Sequence, residues 1–287
     1  MVYYLILGAH EQYRIVSLIK MLDCEEVGFI VHIDSDYELK EDLIGLSESR
    51  PNIHILTERV SCNWSGLTLV KAMLILLNKV ESLSGAHGAD IYQFLSGSCW
   101  PLHSAEECRD LLVKQGTNVH CWGKMGDCKE SDIHLNGRFV RKVWLFDIKM
   151  MNFRNYKSKI FSSAIRNLVR GLHLVLSTVV TINKEFLFYK GSQWFSITTA
   201  DWKSVDKNLI QEKLDQLKWA KAPDEVFFQS IFSASNIGLC LQRKNLYANH
   251  YIDWSNPRLG PVTYDRDEIA VLSKNEKDCI FIRKVKL

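Results

Sequence analysis

Val2-Tyr3-Tyr4-Leu5-Ile6-Leu7-Gly8-Ala9-His10 is a continuous apolar run that stops at a glycine, the pattern of a strand buried in a parallel sheet. The next hundred residues repeat an alternation of helix and strand. Gln12 to Leu22 carries Ile15, Leu18, Ile19 and Leu22 at helical spacing, and Val27 to Ile33 reads as a second strand closing on His32-Ile33-Asp34-Ser35-Asp36. A third strand is expected at Ile53 to Leu56 and a helix from Ser65 to Leu83. A fourth strand, Ile91 to Leu95, runs into Ser96-Gly97-Ser98-Cys99-Trp100-Pro101. This order predicts an α/β chain on a doubly wound, Rossmann-like sheet flanked by helices. Ligands of such sheets gather at the carboxyl ends of the strands, so Ala9 and His10, His32 to Asp34, and Ser96 to Trp100 are expected around one crevice. The first turn is not G-x-G-x-x-G and the chain has no Walker A sequence, which argues against a dinucleotide fold or a P-loop.

The chain has 287 residues, 47% of them hydrophobic, enough for a large core. No linker, repeat or low-complexity segment interrupts it, so a single domain over 1–287 is expected. A formal charge of +3 is too weak to point to nucleic acid. The eight cysteines form no C-x-x-C pair, and Cys240 lies in Ile-Gly-Leu-Cys-Leu; reduced, buried thiols of a cytosolic protein are expected. Residues 131–190 differ in composition, with eleven Lys/Arg against three acids and an apolar run from Leu172 to Ile182. A basic, amphipathic insertion of this kind suits an anionic membrane surface or an acidic acceptor, or is simply a solvated basic face.

The chemistry concentrates in Lys221-Ala222-Pro223-Asp224-Glu225-Val226-Phe227-Phe228-Gln229. Pro223 suits a first helical turn and Asp224 and Glu225 its electropositive end. An acidic first turn capping a buried helix is the plain reading. A carboxylate held against an aromatic wall can also have a raised pKa and act as a general base.

Five further segments accompany this one in order: Val31 to Asp34; Val60-Ser61-Cys62-Asn63-Trp64-Ser65-Gly66; Phe94 to Leu102; Lys190-Gly191-Ser192-Gln193-Trp194-Phe195; and Phe281-Ile282-Arg283-Lys284-Val285. Together they resemble the core-2/I-branching β-1,6-N-acetylglucosaminyltransferase and peptide O-xylosyltransferase family (glycosyltransferase family 14), over nearly the whole chain. The resemblance implies a GT-A-type fold and inverting transfer from a UDP-sugar donor to a glycan acceptor, without a metal ion or other cofactor. It implies Glu225 as the catalytic base and Arg283 and Lys284 as the basic pair at the diphosphate. His32 and Asp34, beside Ala9 and His10, fall at the nucleotide-binding strand ends. Ser96, Trp100, Gly191, Ser192, Gln193, Trp194 and Asp224 fall near donor and acceptor.

The residues themselves agree with that scheme. Ser96-Gly97-Ser98-Cys99 offers no carboxylate to a hard cation, and fixed cations can relieve the charge of a departing diphosphate instead. Asp34 and Asp36 form a D-x-D spacing, so a metal-dependent transferase is one alternative; a non-catalytic glycan- or nucleotide-binding protein is another. Two positions depart from the family pattern. Cys99 stands where members often carry Asp, and Tyr251-Ile252-Asp253-Trp254 replaces an upstream arginine, for which Arg258 is the candidate substitute. N-Acetylglucosamine and xylose therefore remain alternative donors. Met1 to Gly8 reads as a strand and not a signal peptide, and no apolar run reaches the ~20 residues that span a bilayer. The expectation is a bacterial cytoplasmic enzyme, peripheral at the inner membrane face, acting on a glycan or lipid-linked glycan.

Overall fold

The computed structural model describes residues 1–83, 90–124, 188–241, 245–255 and 260–286, with a few further positions between 163 and 175. Most of the basic 131–190 segment, together with Cys128 and Arg258, lies outside the described residues.

The first strand is β1 (Val2–Gly8), followed by helix α1 (Gln12–Leu22), β2 (Val27–Ile33), α2 (Glu41–Ser49), β3 (Ile53–Ile55), α3 (Leu67–Leu83) and β4 (Ile91–Ser96). β1 is flanked by β2 and β4, both parallel to it, and β3 extends the parallel set beyond β2. The apolar run at 2–7 reads as it does because β1 is covered on both faces. Tyr4 and Ile6 pack with Ile15, Leu18, Ile19 and Leu22 of α1. Tyr3, Leu5 and Leu7 pack on Val70, Met73, Leu76 and Leu77 of α3. The strand order β3-β2-β1-β4 reverses direction between β1 and β4, the point at whose carboxyl ends ligands of such sheets gather. Helix α3 begins at Leu67 and not at Ser65 because Ser65 holds φ +64°, a left-handed conformation outside the helical range.

β5 (Cys99–Pro101) leaves the central sheet for a second one, and α4 (Ala105–Gln115) follows, closed by a Ser104/Glu107 capping box. β6 (His120–Lys124), β7 (Tyr189–Gly191) and β8 (Ser196–Thr198) come next; β8 closes the central sheet antiparallel to β4. Helices α5 (Thr199–Ser204) and α6 (Lys207–Gln216) lead to a single 3-10 turn at Pro223–Glu225 and then to α7 (Phe227–Ala234). The short strands β9 (Cys240–Leu241), β10 (Leu246–Tyr247) and β11 (His250–Tyr251), helix α8 (Arg266–Asn275) and β12 (Phe281–Arg283) complete the described chain. β10-β11-β12-β5 form the second sheet and β7-β6-β9 a third. The result is the expected mixed α/β sheet flanked by helices.

A buried amide network joins these sheets. Asn249 Nδ2 donates to Gln93 Oε1 of β4 at 2.6 Å and to Ser196 Oγ of β8 at 3.0 Å, while its Oδ1 accepts from Asn118 at 2.7 Å. Its backbone carbonyl accepts from the amides of Ile280 and Phe281. Paired amides can be buried without penalty only when each group is met, and here the geometry fixes β11 and β12 against the central sheet.

Among the described residues no helix is long and apolar enough to cross a membrane. The described cysteines are all free, but Cys240 is exposed, against the expectation from its apolar neighbours. Its two-residue strand lies at the edge of the three-stranded sheet, beside β6 alone.

Candidate active site

The turn that carries the carboxylates is built from two strained residues bonded to each other. Ala222 (φ +52°) donates its N–H to the carbonyl of Ser65 (φ +64°) at 2.9 Å, tying the Val60 to Gly66 motif to the carboxylate turn. Pro223 begins a 3-10 turn, and the α-helix starts only at Phe227, later than the first-turn reading of Pro223 implies. The two carboxylates therefore point differently. Asp224 is buried, with Oδ1 lacking a hydrogen-bond partner among the described residues, while the Glu225 side chain is half-buried. Burial, with the nearby charge of Glu225, pushes the Asp224 carboxyl up to about 7. A raised carboxyl is thus present in the pair, on Asp224.

Glu225 Oε2 lies 3.1 Å from Lys190 Nζ. Lys190 ends in a buried position on β7, its ammonium 5.4 Å from the centroid of the Trp122 ring. The residues after it explain their own identities. A Cβ at Gly191 would lie 1.9 Å from the His120 carbonyl oxygen, so only glycine lets β7 approach β6 here. Ser192 N–H donates to His120 Nδ1, and Ser192 Oγ accepts from the Trp194 N–H at 3.2 Å. Gln229 Nε2 of α7 donates to the Ser192 carbonyl at 2.6 Å, linking this segment to the helix behind the carboxylate turn. Gln193 is half-buried and Trp194 buried.

Arg283 lies over the Trp194 ring, its Cζ 4.4 Å from the centroid. Its Nη1 donates to Ser96 Oγ at the end of β4 and lies 3.9 Å from Cys99 Sγ. Ser96 Oγ also accepts from the Ser98 N–H, which closes the turn after β4. Beneath, His250 of β11 is fully buried, and neither ring nitrogen has a hydrogen-bond partner among the described residues. Burial, with the Arg283 charge beside it, pushes the imidazole down to about 3, so it stays neutral next to the guanidinium. Sequence reasoning missed Lys190, Asn249 and His250 as site-building residues; a buried cation or amide carries no periodicity to reveal it.

The nucleotide-end residues sit at the carboxyl ends of β1 and β2. Asp34 N–H donates to the Gly8 carbonyl, which places Asp34 against Ala9 and His10. His10 is exposed, its ring 5.8 Å from that of Tyr37. His32 is buried with Nε2 accepting from the Val60 N–H at 3.0 Å, and burial pushes it down to about 4. Asp34 Oδ1 accepts from the Asp36 N–H, and Asp36 Oδ2 from the Ser61 hydroxyl. Among the described residues no group of three or more His, Cys, Asp or Glu could hold a metal ion. Lys284 follows Arg283, with its carbonyl accepting from the Tyr264 N–H. Trp100 is the residue the crevice does not receive. Side chains alternate along β5, so Cys99 faces Arg283 while Trp100 pairs with Ile282 and packs in the separate cluster of Leu102, Tyr264 and Ile269.

The site thus sets a fixed cation, Arg283, at the end of β4 and a half-buried carboxylate, Glu225, on the turn paired with Lys190. The chain belongs to the Core-2/I-Branching enzyme family, whose model matches residues 2–276. Two solved structures are similar to it: S. aureus TarS, at 12% identity with a TM-score of 0.35 over 76% of this chain and 33% of that one, and S. aureus TarS 1–349, at 11% identity with a TM-score of 0.39 over 86% and 59%. The chain thus spans about a third and three-fifths of those two chains. Comparison with curated proteins gave no match.

Proposed function

We propose that this chain is an inverting, metal-independent transferase that moves N-acetylglucosamine or xylose from a UDP-sugar to a hydroxyl of a glycan or lipid-linked glycan. The acceptor oxygen attacks the anomeric carbon as Glu225 takes its proton. The bond to the diphosphate breaks on the opposite face, and the leaving UDP puts its charge on Arg283 and Lys284. Ala9, His10, His32 and Asp34 line the nucleoside end. Ser96, Ser192, Gln193, Trp194 and Asp224 lie between the two ends.

The observation that carries this reading is the segment Lys190 to Trp194. Its first residue is bonded to Glu225 and its last lies under Arg283. The backbone from Lys190 to Trp194 spans at most about 14 Å, so one short segment ties the turn of Glu225 to the strand end that holds Arg283.

A panel of UDP-sugars, measured for binding and turnover with EDTA present, tests the proposal. Glu225→Gln should keep donor affinity and lower turnover by about 10²–10⁴. Equal loss of both would assign Glu225 a structural role. Donor binding without turnover in the parent protein, across an acceptor panel, would favour a binding protein. Activity recovered only with manganese would return attention to Asp34 and Asp36.

A further inference from the structure

Lys190 is 4% exposed, and an ammonium is costly to bury unless it is paired. Its partner, 3.1 Å away, is the carboxylate of Glu225, whose side chain is still 34% exposed. Next in sequence stands Asp224, 6% exposed, with Oδ1 unpartnered among the described residues. Two adjacent carboxyls cannot both ionise easily, and a cation beside one of them decides which keeps its charge. We propose that Lys190 is a positioning residue: it fixes Glu225 in orientation and in its ionised form, so that the single proton of the carboxyl pair resides on Asp224.

This inference rests on Glu225 being the base. It assigns Lys190 a task that packing alone would not require. An acceptor proton can be taken only by an ionised carboxylate, and only if that carboxylate is aimed at the hydroxyl. The charges that act on Asp224 are those of Glu225 and of Lys190, which reaches the pair from β7. Burial and the charge of Glu225 both raise Asp224, and Lys190 opposes them. The Trp122 ring also lies against the ammonium, 5.4 Å from centroid to Nζ, a second contact that holds it.

The test is a carbon-13 carboxyl titration of the ligand-free protein, with signals assigned through Glu225→Gln and Asp224→Asn. In the parent protein the step at about 7 should be carried by the Asp224 signal. In Lys190→Met the pair should take up its first proton about one unit higher, with both signals reporting the step. Lys190→Arg should restore the parent behaviour, and Lys190→Gln serves if the methionine variant does not fold. A parent-like curve in the neutral variants, or a near-neutral midpoint belonging to Glu225 in the parent, overturns the inference. Turnover separates the two ideas. Full activity in Glu225→Gln sinks the base assignment; an inactive Glu225→Gln with an unchanged titration in Lys190→Met sinks this one alone.

Discussion

The guanidinium of Arg283 lies over the indole of Trp194, 4.4 Å from the ring centroid, and thereby joins the second sheet to the segment that reaches Glu225. The contact keeps a cation at the end of β4 with no carboxylate among the described residues to neutralise it there: Arg283 donates to Ser96 Oγ, and the buried imidazole beside it is uncharged. A charge so placed is available to an anion.

Replacing Arg283 should therefore weaken donor binding. We expect Arg283→Ala to raise the Kd for UDP by at least tenfold, by loss of a charge-assisted contact of about 1.5–3 kcal/mol. Arg283→Lys should recover only part of this, since lysine keeps the charge but not the planar fork that lies on Trp194. Calorimetric titration with UDP measures both. Undiminished binding in Arg283→Ala would remove Arg283 from the donor site.

Gly191→Ala should destabilise the protein and disturb the pocket. The added carbon would meet the His120 carbonyl at 1.9 Å, and backbone on both strands must move. A cost of about 1–3 kcal/mol is expected, seen as a shift of the denaturant midpoint. Gly238→Ala is the control, because nothing lies within 4 Å of its added carbon.

Asn249→Ala breaks the network at its centre, leaving Gln93 and Asn118 without their partner. A loss of about 2–4 kcal/mol is expected, more than for any one of its surface counterparts. Donor affinity should fall with it, since the side-chain network sets the β11–β12 unit that carries Arg283 against the central sheet. Urea unfolding and UDP titration report the two effects separately.

His32 and His250 should remain neutral through the physiological range, with ring signals titrating at about 4 and about 3. In the unfolded chain each takes its proton at about 6.5. The unfolded state thus binds more protons as pH falls below that value. The stability these residues contribute is fully present above about 6.5 and is lost progressively down to the folded values. Replacing His250 by phenylalanine should flatten the acid decline in stability; an unchanged slope would show that His250 is not its source.

Much of the fold was legible because apolar runs declare buried strands. Val2 to Leu7 and Val27 to Ile33 lie where their sequences put them, as does the helix from Gln12 to Leu22. The second and third sheets were not legible, since strands of two or three residues such as Cys240–Leu241 and His250–Tyr251 leave no pattern. The site was readable as motifs, which brought Glu225, Trp194 and Arg283 into view. Their relations were not readable. That Lys190 pairs with Glu225, or that Trp100 turns away from Cys99, depends on alternation and on neighbours distant in sequence.

The amide junction at Asn249 has a consequence for how this pocket can change over time. Apolar layers slide and repack with small losses, but directional bonds from one side chain to three others fail together if a sheet shifts by a single residue, about 3.4 Å. The distance from the end of β4 to Arg283 is therefore quantised by chemistry and does not drift with the packing around it. Natural variation can alter the side chains around the strand ends, while the seat of Arg283 at the end of β4 stays the same.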